Sequence, residues 1–133
     1  NEVGADLVAL ITTGRDFCGL GHLNVDATKA FSVSTTACAT GYYSFGHEIG
    51  HNYGATHDPA NETNTVYAYG HGYQNPEARL RTVMAYNCPA SCTRVNLWSG
   101  PNSRWNGWVM GNDHQSDNVR VLNERAATVA GFR

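Results

Sequence analysis

The chain carries little charge and lacks a long apolar run. Nine residues are lysine or arginine and eleven are aspartate or glutamate, which gives a formal net charge of -2. The few basic residues are scattered, so we expect no nucleic-acid partner. No apolar run approaches the roughly 20 residues that a membrane helix requires. We therefore expect a protein that binds neither nucleic acid nor membranes.

The length and composition are those of one ordinary globular domain. A chain of 133 residues is large enough for a single core. Its 41% hydrophobic and 15% charged residues are not the composition of a disordered chain. We predict a single domain over residues 1–133, with one functional site, and a monomer is the default expectation.

The four cysteines lack the CxxC pairs of a structural zinc site. Disulfides are the better interpretation, and four cysteines allow three pairings. We predict that Cys18 pairs with Cys38 around two strands and that Cys88 pairs with Cys92 as a short local link. Disulfides indicate an oxidising compartment and hence a secreted protein, whereas four free buried thiols would fit a cytosolic one.

Apolar patterning in the first half of the chain predicts both strands and a helix. The aliphatic run at residues 6–12 indicates a buried central strand. Alternation and β-branched residues over 31–37 indicate a second strand. Helical spacing over 42–54 predicts a helix with Ser44 as a cap and Gly54 as its end.

The second half predicts a long loop over residues 59–76 and a C-terminal helix. The helix is expected to begin between Asp113 and Asp117. One apolar stripe would pack this helix on the core. The stripe consists of Val119, Leu122, Ala126, Val129 and Phe132.

Histidines on the first predicted helix have the spacing of metal ligands. His47 and His51 would lie about 40° apart around the helix and roughly 6 Å apart along it, so both can reach one ion. Glu48 lies about 100° from His47, where its carboxylate can act on a metal-bound water without being a ligand. Gly54 can take a left-handed conformation that turns His57 back as a third ligand. Three protein ligands and an open position are typical of catalytic zinc.

The segment HEIGHNYGATH at residues 47–57 resembles the long zinc signature of the metzincin endopeptidases. The segment TVMAY at residues 82–86 resembles the Met-turn of that family. Asp58, directly after the third histidine, is similar to the residue that marks the reprolysin-like (adamalysin) branch. Three more segments look most like the bacterial peptidyl-Asp metallopeptidases of that branch: residues 69–73, 81–88 and 118–123.

The resemblance implies an α+β zincin fold with a twisted mixed sheet, an active-site helix, a C-terminal helix and one catalytic Zn²⁺ ion. It makes no prediction for structural calcium. Met84 would pack below the zinc, Tyr86 would donate its hydroxyl to the oxyanion, and Asp58 would orient its neighbours. Residues 19–23 would form a sheet edge above the cleft, where a substrate could pair. The strand, helix and strand that usually open the family's catalytic domain have no counterpart in this sequence, so either this opening layer is absent or it belongs to a separate or removed segment.

These patterns predict a secreted zinc-dependent endopeptidase acting on proteins or peptides. Zinc would lower the pKa of its bound water to about 7 and polarise the scissile carbonyl, and Glu48 would take the proton. The alternative is a catalytically inactive, secreted, zinc-stabilised binding module, which would have no use for Glu48. Hydrolysis of an ester or a cell-wall amide is a third interpretation, and the Met-turn resemblance argues for peptides.

The sequence also suggests roles for several arginines, histidines and tryptophans outside the metal signature. If the peptidyl-Asp resemblance extends to specificity, an arginine should face the substrate residue after the scissile bond. Three arginines near the Met-turn qualify, and the sequence leaves the choice open: Arg79, Arg81 and Arg94. The histidines outside the signature are expected to be structural or surface residues: His22, His71 and His114. The tryptophans are expected to serve in packing: Trp98, Trp105 and Trp108.

Overall fold

The structure is a computed structural model that describes residues 3–14 and 16–133. It has the mixed α+β architecture that the sequence predicts. None of the helices in these residues is long and apolar enough to cross a membrane. The elements in chain order are β1 (Val8–Thr12), β2 (Gly19–Gly21), β3 (Phe31–Thr35), α1 (Thr36–Ala39), α2 (Ser44–Tyr53), β4 (Gln74–Asn75), β5 (Leu80–Arg81), β6 (Thr93–Arg94), β7 (Arg104–Trp105), β8 (Trp108–Val109) and α3 (Asn118–Val129).

The largest sheet is mixed and has the strand order β1-β3-β2. β1 pairs in parallel with β3, and β2 pairs with β3 in antiparallel fashion. The prediction that residues 6–12 form a central, buried strand is wrong: β1 lies at an edge of this sheet and Leu10 is 60% exposed. An aliphatic run reports strand propensity, whereas burial also depends on which layers cover the strand. β3 ends two residues earlier than predicted because α1 begins at Thr36.

Two disulfides link the described residues, and they are the pairs that the sequence predicts. Cys18, directly before β2, is bonded to Cys38 of α1. Cys88 is bonded to Cys92, directly before β6. The first disulfide therefore ties the β2 edge of the sheet to the segment that leads into α2.

Helix α2 begins and ends at left-handed residues. Tyr43 precedes the helix with φ 58°, and Ser44 is the first helical residue, so the prediction of Ser44 as the cap is wrong. The chain enters the helix through a backbone turn, in which the His47 amide donates to the Tyr43 carbonyl at 3.0 Å. Gly54 ends the helix with φ 104°, a conformation that glycine adopts without a Cβ clash. The next residue, Ala55, donates its amide to the Gly50 carbonyl at 3.0 Å, which redirects the chain.

Helix α2 packs closely on the second half of the chain at Gly50. A Cβ built on Gly50 would lie 2.7 Å from Met84 Sδ and 2.9 Å from Trp98 Cζ3. Met84 is fully buried, and Trp98 packs against the same core cluster, as expected. The other two tryptophans lie in the β7–β8 hairpin, where Trp105 is half-buried and Trp108 is exposed.

A second small sheet, with the order β4-β5-β6, holds the segment that faces α2. β5 pairs antiparallel with β4 and parallel with β6. The chain leaves β5 directly into a turn over residues 82–85, where the Ala85 amide donates to the Thr82 carbonyl at 3.1 Å. β6 carries Arg94 next to this turn, so the small sheet places the turn and the arginine side by side.

Helix α3 begins after Asp117, whose side chain accepts a hydrogen bond from the Arg120 amide. The predicted apolar stripe is wrong for most of its members, because the buried residues are Asn118, Val121 and Val129. Asn118 Nδ2 donates to the Gly70 carbonyl at 2.7 Å. Arg125, on the same face, donates to the Val25 carbonyl at 2.7 Å. Hydrogen bonds to distant backbone atoms thus allow a partly polar face of α3 to pack against the protein interior.

Two glycines of α2 provide a matched test of this packing. We expect Gly50→Ala to destabilise the protein by about 1–3 kcal/mol, because the added Cβ meets Met84 and Trp98. Gly46→Ala places its Cβ in open space, so we expect it to stabilise the helix by about 0.5–1 kcal/mol. Urea unfolding of both variants measures the difference. Equal stability of the two variants would contradict the packing described here.

Candidate active site

Three histidine side chains converge on one point beside α2. His47 and His51 project from the helix, and His57 follows the turn at Gly54. The Nε2 atoms lie 3.1 Å (His47 to His51), 3.1 Å (His51 to His57) and 3.2 Å (His47 to His57) apart. Nitrogens bound to one tetrahedral ion at about 2.0–2.1 Å stand about 3.3–3.4 Å from one another. The spacing therefore suits a single ion at the centre.

In two of these histidines the other ring nitrogen, Nδ1, is hydrogen-bonded to a backbone carbonyl. His47 Nδ1 donates to the Val83 carbonyl at 2.8 Å, and His51 Nδ1 donates to the Ala55 carbonyl at 2.9 Å. Each bond places the ring proton on Nδ1 and leaves Nε2 as a bare acceptor. Bare acceptors 3.1 Å apart have no proton to share, so they repel one another unless a cation lies between them. The donor set therefore fits a metal ion.

Burial keeps these imidazoles neutral. Burial lowers the pKa of His47 to about 3, with a further contribution from the neighbouring His51. It lowers the pKa of His51 to about 4 and also lowers the pKa of His57. Neutral imidazole is the form that binds a metal, so at neutral pH the group is ready to bind an ion without losing protons.

Glu48 lies beside the histidines but outside their converging group. Its side chain is buried, and this burial raises the pKa of its carboxyl to about 7, while the charge of Arg94 opposes the rise. A Cβ built on Gly19 would lie 2.5 Å from Glu48 Oε1, and one on Gly21 would lie 2.6 Å from the Glu48 carbonyl oxygen. Only glycines therefore allow β2 to pass this close to Glu48.

The turn over residues 82–85, which lies within the segment that resembles a Met-turn, packs against α2 and supports the site. Its Val83 carbonyl accepts the hydrogen bond from His47, and Met84 is fully buried next to it. A Cβ built on Gly72 would lie 2.6 Å from the Ala85 nitrogen, so the turn packs directly on the backbone of residue 72. The turn therefore holds His47 in orientation and fixes where the next residues emerge.

Tyr86 and Asp58 are joined by a hydrogen bond next to His57. The Tyr86 ring stacks on the His57 ring with centroids 4.1 Å apart, and the Tyr86 side chain is partly exposed to the cleft. The buried Asp58 carboxylate accepts the Tyr86 amide at 2.8 Å and Asn61 Nδ2 at 2.8 Å. Asp58 thus stands outside the converging group and fixes the chain that carries Tyr86.

His71 supports His57 in a way that the sequence did not indicate. The buried His71 ring donates from Nδ1 to the His57 carbonyl at 2.8 Å, and Ser99 Oγ donates to the His71 carbonyl at 2.7 Å. A separation of 14 residues with no regular element between the two histidines leaves no periodic signal to read. His22 and His114 are exposed and stand apart from the three converging histidines.

A cleft of about 420 Å³ opens over the histidines. One wall is the β2 edge and the residues after it, where the resemblance placed a substrate-pairing strand. The opposite side carries Tyr86 and Arg94, whereas Arg79 and Arg81 do not line the cleft. The lining residues are Cys18, Gly19, Leu20, Gly21, Leu23, Ser44, His47, Glu48, His51, Thr56, His57, Glu62, Tyr86 and Arg94.

The chain is similar to known metallopeptidases over its whole length. A family model described as Metallo-peptidase family M12 matches residues 2–99. A peptidyl-Asp metalloendopeptidase of Stenotrophomonas maltophilia (strain K279a) is 48% identical over 138 residues, which cover 100% of this chain and 33% of that protein. One of Xanthomonas campestris pv. campestris is 45% identical over 135 residues, which cover 100% of this chain and 32% of that protein. One of Pseudomonas fragi is 50% identical over 107 residues, which cover 80% of this chain and 69% of that protein.

The chain spans about a third of the length of the Stenotrophomonas and Xanthomonas relatives. Among solved structures, one described as "Structure of a chaperone-substrate complex" superposes with a TM-score of 0.74 at 24% sequence identity. The superposition covers 99% of this chain and 21% of that chain. At this identity the likeness extends to the fold alone.

Removal of one converging imidazole tests whether the group holds a metal. We expect His57→Ala to lose zinc on dialysis, because the two remaining nitrogens leave the ion with too few ligands. His114→Ala is the matched control, since the side chain of His114 is 77% exposed and lies outside the group. Metal analysis after dialysis distinguishes them. Full zinc content in His57→Ala would eliminate His57 as a ligand.

Proposed function

The chain belongs to metallopeptidase family M12, and from this premise we propose that it is the catalytic part of a secreted zinc-dependent endopeptidase. The single observation that carries the proposal is the convergence of the imidazoles of His47, His51 and His57 on one point, with the buried side chain of Glu48 beside them. Three protein ligands with an adjacent acid are the arrangement of catalytic rather than structural zinc.

In this proposal His47, His51 and His57 hold the ion. Three neutral imidazoles suit zinc, and the hydrogen bonds to Val83 and Ala55 keep two of the rings in the binding tautomer. Bound zinc supplies a Lewis acid that polarises the scissile carbonyl and acidifies a coordinated water.

Glu48 acts as the general base and later as the general acid. Its carboxylate accepts no hydrogen bond from the described residues, so it is free to receive a proton from the attacking water. It lies in the cleft next to the three histidines, within reach of a water there. It then delivers the proton to the leaving amine, so one side chain serves both halves of the hydrolysis.

Tyr86 and β2 position the peptide. The hydroxyl of Tyr86 donates to the oxyanion of the tetrahedral intermediate, a contact that forms chiefly in the transition state. Support for this role comes from the Tyr86 ring lying against His57 in the cleft. The substrate backbone pairs with the edge of β2, which has no strand on its outer side in the described residues.

Two further observations support the proposed secretion and substrate. The disulfides Cys18–Cys38 and Cys88–Cys92 are typical of proteins in oxidising compartments, which supports secretion. The relatives are called peptidyl-Asp metalloendopeptidases, which supports cleavage of peptide bonds next to aspartate. A zinc-stabilised binding module, the alternative from the sequence, would leave the buried Glu48 without a use.

Replacement of the proposed base separates catalysis from metal binding. We expect Glu48→Gln to retain zinc and to lose at least about 100-fold in peptide hydrolysis, because the amide cannot take a proton from water. Peptide turnover and zinc content are measured on the same preparation. The isosteric control is Glu77→Gln, an exposed residue outside the cleft, which should keep full turnover. Undiminished hydrolysis in Glu48→Gln would overturn the mechanism.

A further inference from the structure

We propose that Arg94 is the specificity-determining residue of this site and that it binds the side-chain carboxylate of the substrate residue adjacent to the scissile bond. This inference rests on the proposed peptidase function. It selects one of the three arginines near the Met-turn that the sequence left open.

Location separates Arg94 from the other two arginines. Arg94 is the one arginine or lysine among the described residues that line the cleft. Arg79 is exposed and directs its guanidinium to the carbonyls of Ala90 and Ser91. Arg81 donates to the carbonyls of Cys92 and Ala85 and does not line the cleft. An acidic side chain that enters the cleft therefore meets Arg94.

The guanidinium of Arg94 is held in place before any substrate arrives. Nη1 donates to the Tyr42 carbonyl at 3.1 Å, and Nη2 donates to the Ala85 carbonyl at 3.1 Å. These carbonyls belong to the turn before α2 and to the end of the Met-turn, so the arginine spans the two segments that form this side of the cleft. A cation fixed by the backbone loses little side-chain freedom when it binds a carboxylate.

Arg94 forms no salt bridge within the described residues. Salt bridges in the described residues join Asp113 to His114 and Glu124 to Arg120, and none involves Arg94. Its Nε is buried without a hydrogen-bond acceptor. Burial lowers the pKa of Arg94 to about 10, which still leaves the side chain charged at neutral pH. A charged, partly desolvated group that has no salt bridge favours binding of an anion.

Arg94 lines the same cleft as Glu48, the proposed general base. Among the described residues, the other carboxylate that lines this cleft is that of Glu62. An acidic substrate side chain is attracted to Arg94 and repelled by the two carboxylates. Because Arg94 shares the cleft with the group that acts on the scissile bond, the substrate residue that it binds is near the reacting bond.

The test compares hydrolysis of peptides that differ in a single residue. The zinc-loaded protein is given peptides with Asp, Glu, Asn or Ala adjacent to the cleaved bond, and kcat/KM is measured for each. Wild type should prefer Asp over Asn by at least about 100-fold, since the Asp carboxylate forms charge-assisted hydrogen bonds with Arg94 that the neutral amide of Asn does not. Arg94→Gln should reduce this preference to within about 5-fold, and Arg94→Lys should keep an intermediate preference because a point charge replaces the planar fork.

The ratio of Asp to Asn hydrolysis isolates recognition from other effects of Arg94. A change in the proton affinity of Glu48 or a loss of protein stability lowers kcat/KM for the Asp and Asn peptides by the same factor. The ratio of the two values therefore stays unchanged. Arg79→Gln is the matched control and should retain the wild-type ratio, because Arg79 stands outside the cleft. Zinc content and thermal unfolding of each variant verify that it is folded.

Distinct results separate the two proposals. A preference for Asp that persists in Arg94→Gln and Arg94→Lys would overturn the assignment of Arg94. A wild type that hydrolyses all four peptides at similar rates would overturn the assignment and leave the peptidase function intact. A zinc-loaded wild type that hydrolyses none of them would reject the proposed function and the assignment together.

Discussion

The site depends on the repulsion between the Nε2 lone pairs of His47 and His51, which a cation placed between them relieves. The Nδ1–H groups of both rings donate hydrogen bonds to backbone carbonyls, so their Nε2 atoms face each other as acceptors at 3.1 Å, and His57 Nε2 lies 3.1–3.2 Å from both. Without an ion this arrangement is unfavourable, and the surrounding packing must hold it together. With an ion, the same lone pairs become ligand bonds, so metal binding and native packing stabilise one another.

Close backbone contacts hold the rings against that repulsion. α2 touches the core through Gly50, and the Met-turn lies directly on Gly72, so no side chain separates the helix from the carbonyl that His47 needs. Gly54 then turns the chain so that His57 returns, and His71 holds the carbonyl of that residue. A different carbonyl of the turn over residues 82–85, that of Ala85, accepts a hydrogen bond from Arg94, so one short segment contacts both His47 and the residue that we propose binds the substrate.

The local parts of this arrangement could be predicted from the sequence, and the long-range parts could not. Helical periodicity and ligand chemistry identify His47, Glu48 and the left-handed turn at Gly54, because all lie within one short segment. The buried face of α3 could not be predicted from apolar periodicity, because Asn118 and Arg125 face the protein interior through hydrogen bonds to distant backbone atoms. The edge position of β1 escaped for a similar reason, since strand order depends on partners elsewhere in the chain. Residues 47–58 and 82–86 carry the resemblance to the metzincins, and the match to a model of metallopeptidase family M12 agrees with it.

X-ray absorption spectroscopy of the zinc-loaded protein tests the central claim most directly, because it reports the atoms around the ion in solution. The account predicts three imidazole nitrogens and one further light atom at about 2.0–2.1 Å, with no sulfur. A spectrum with sulfur neighbours, or with fewer than three imidazoles, would contradict the convergence of His47, His51 and His57 on one ion.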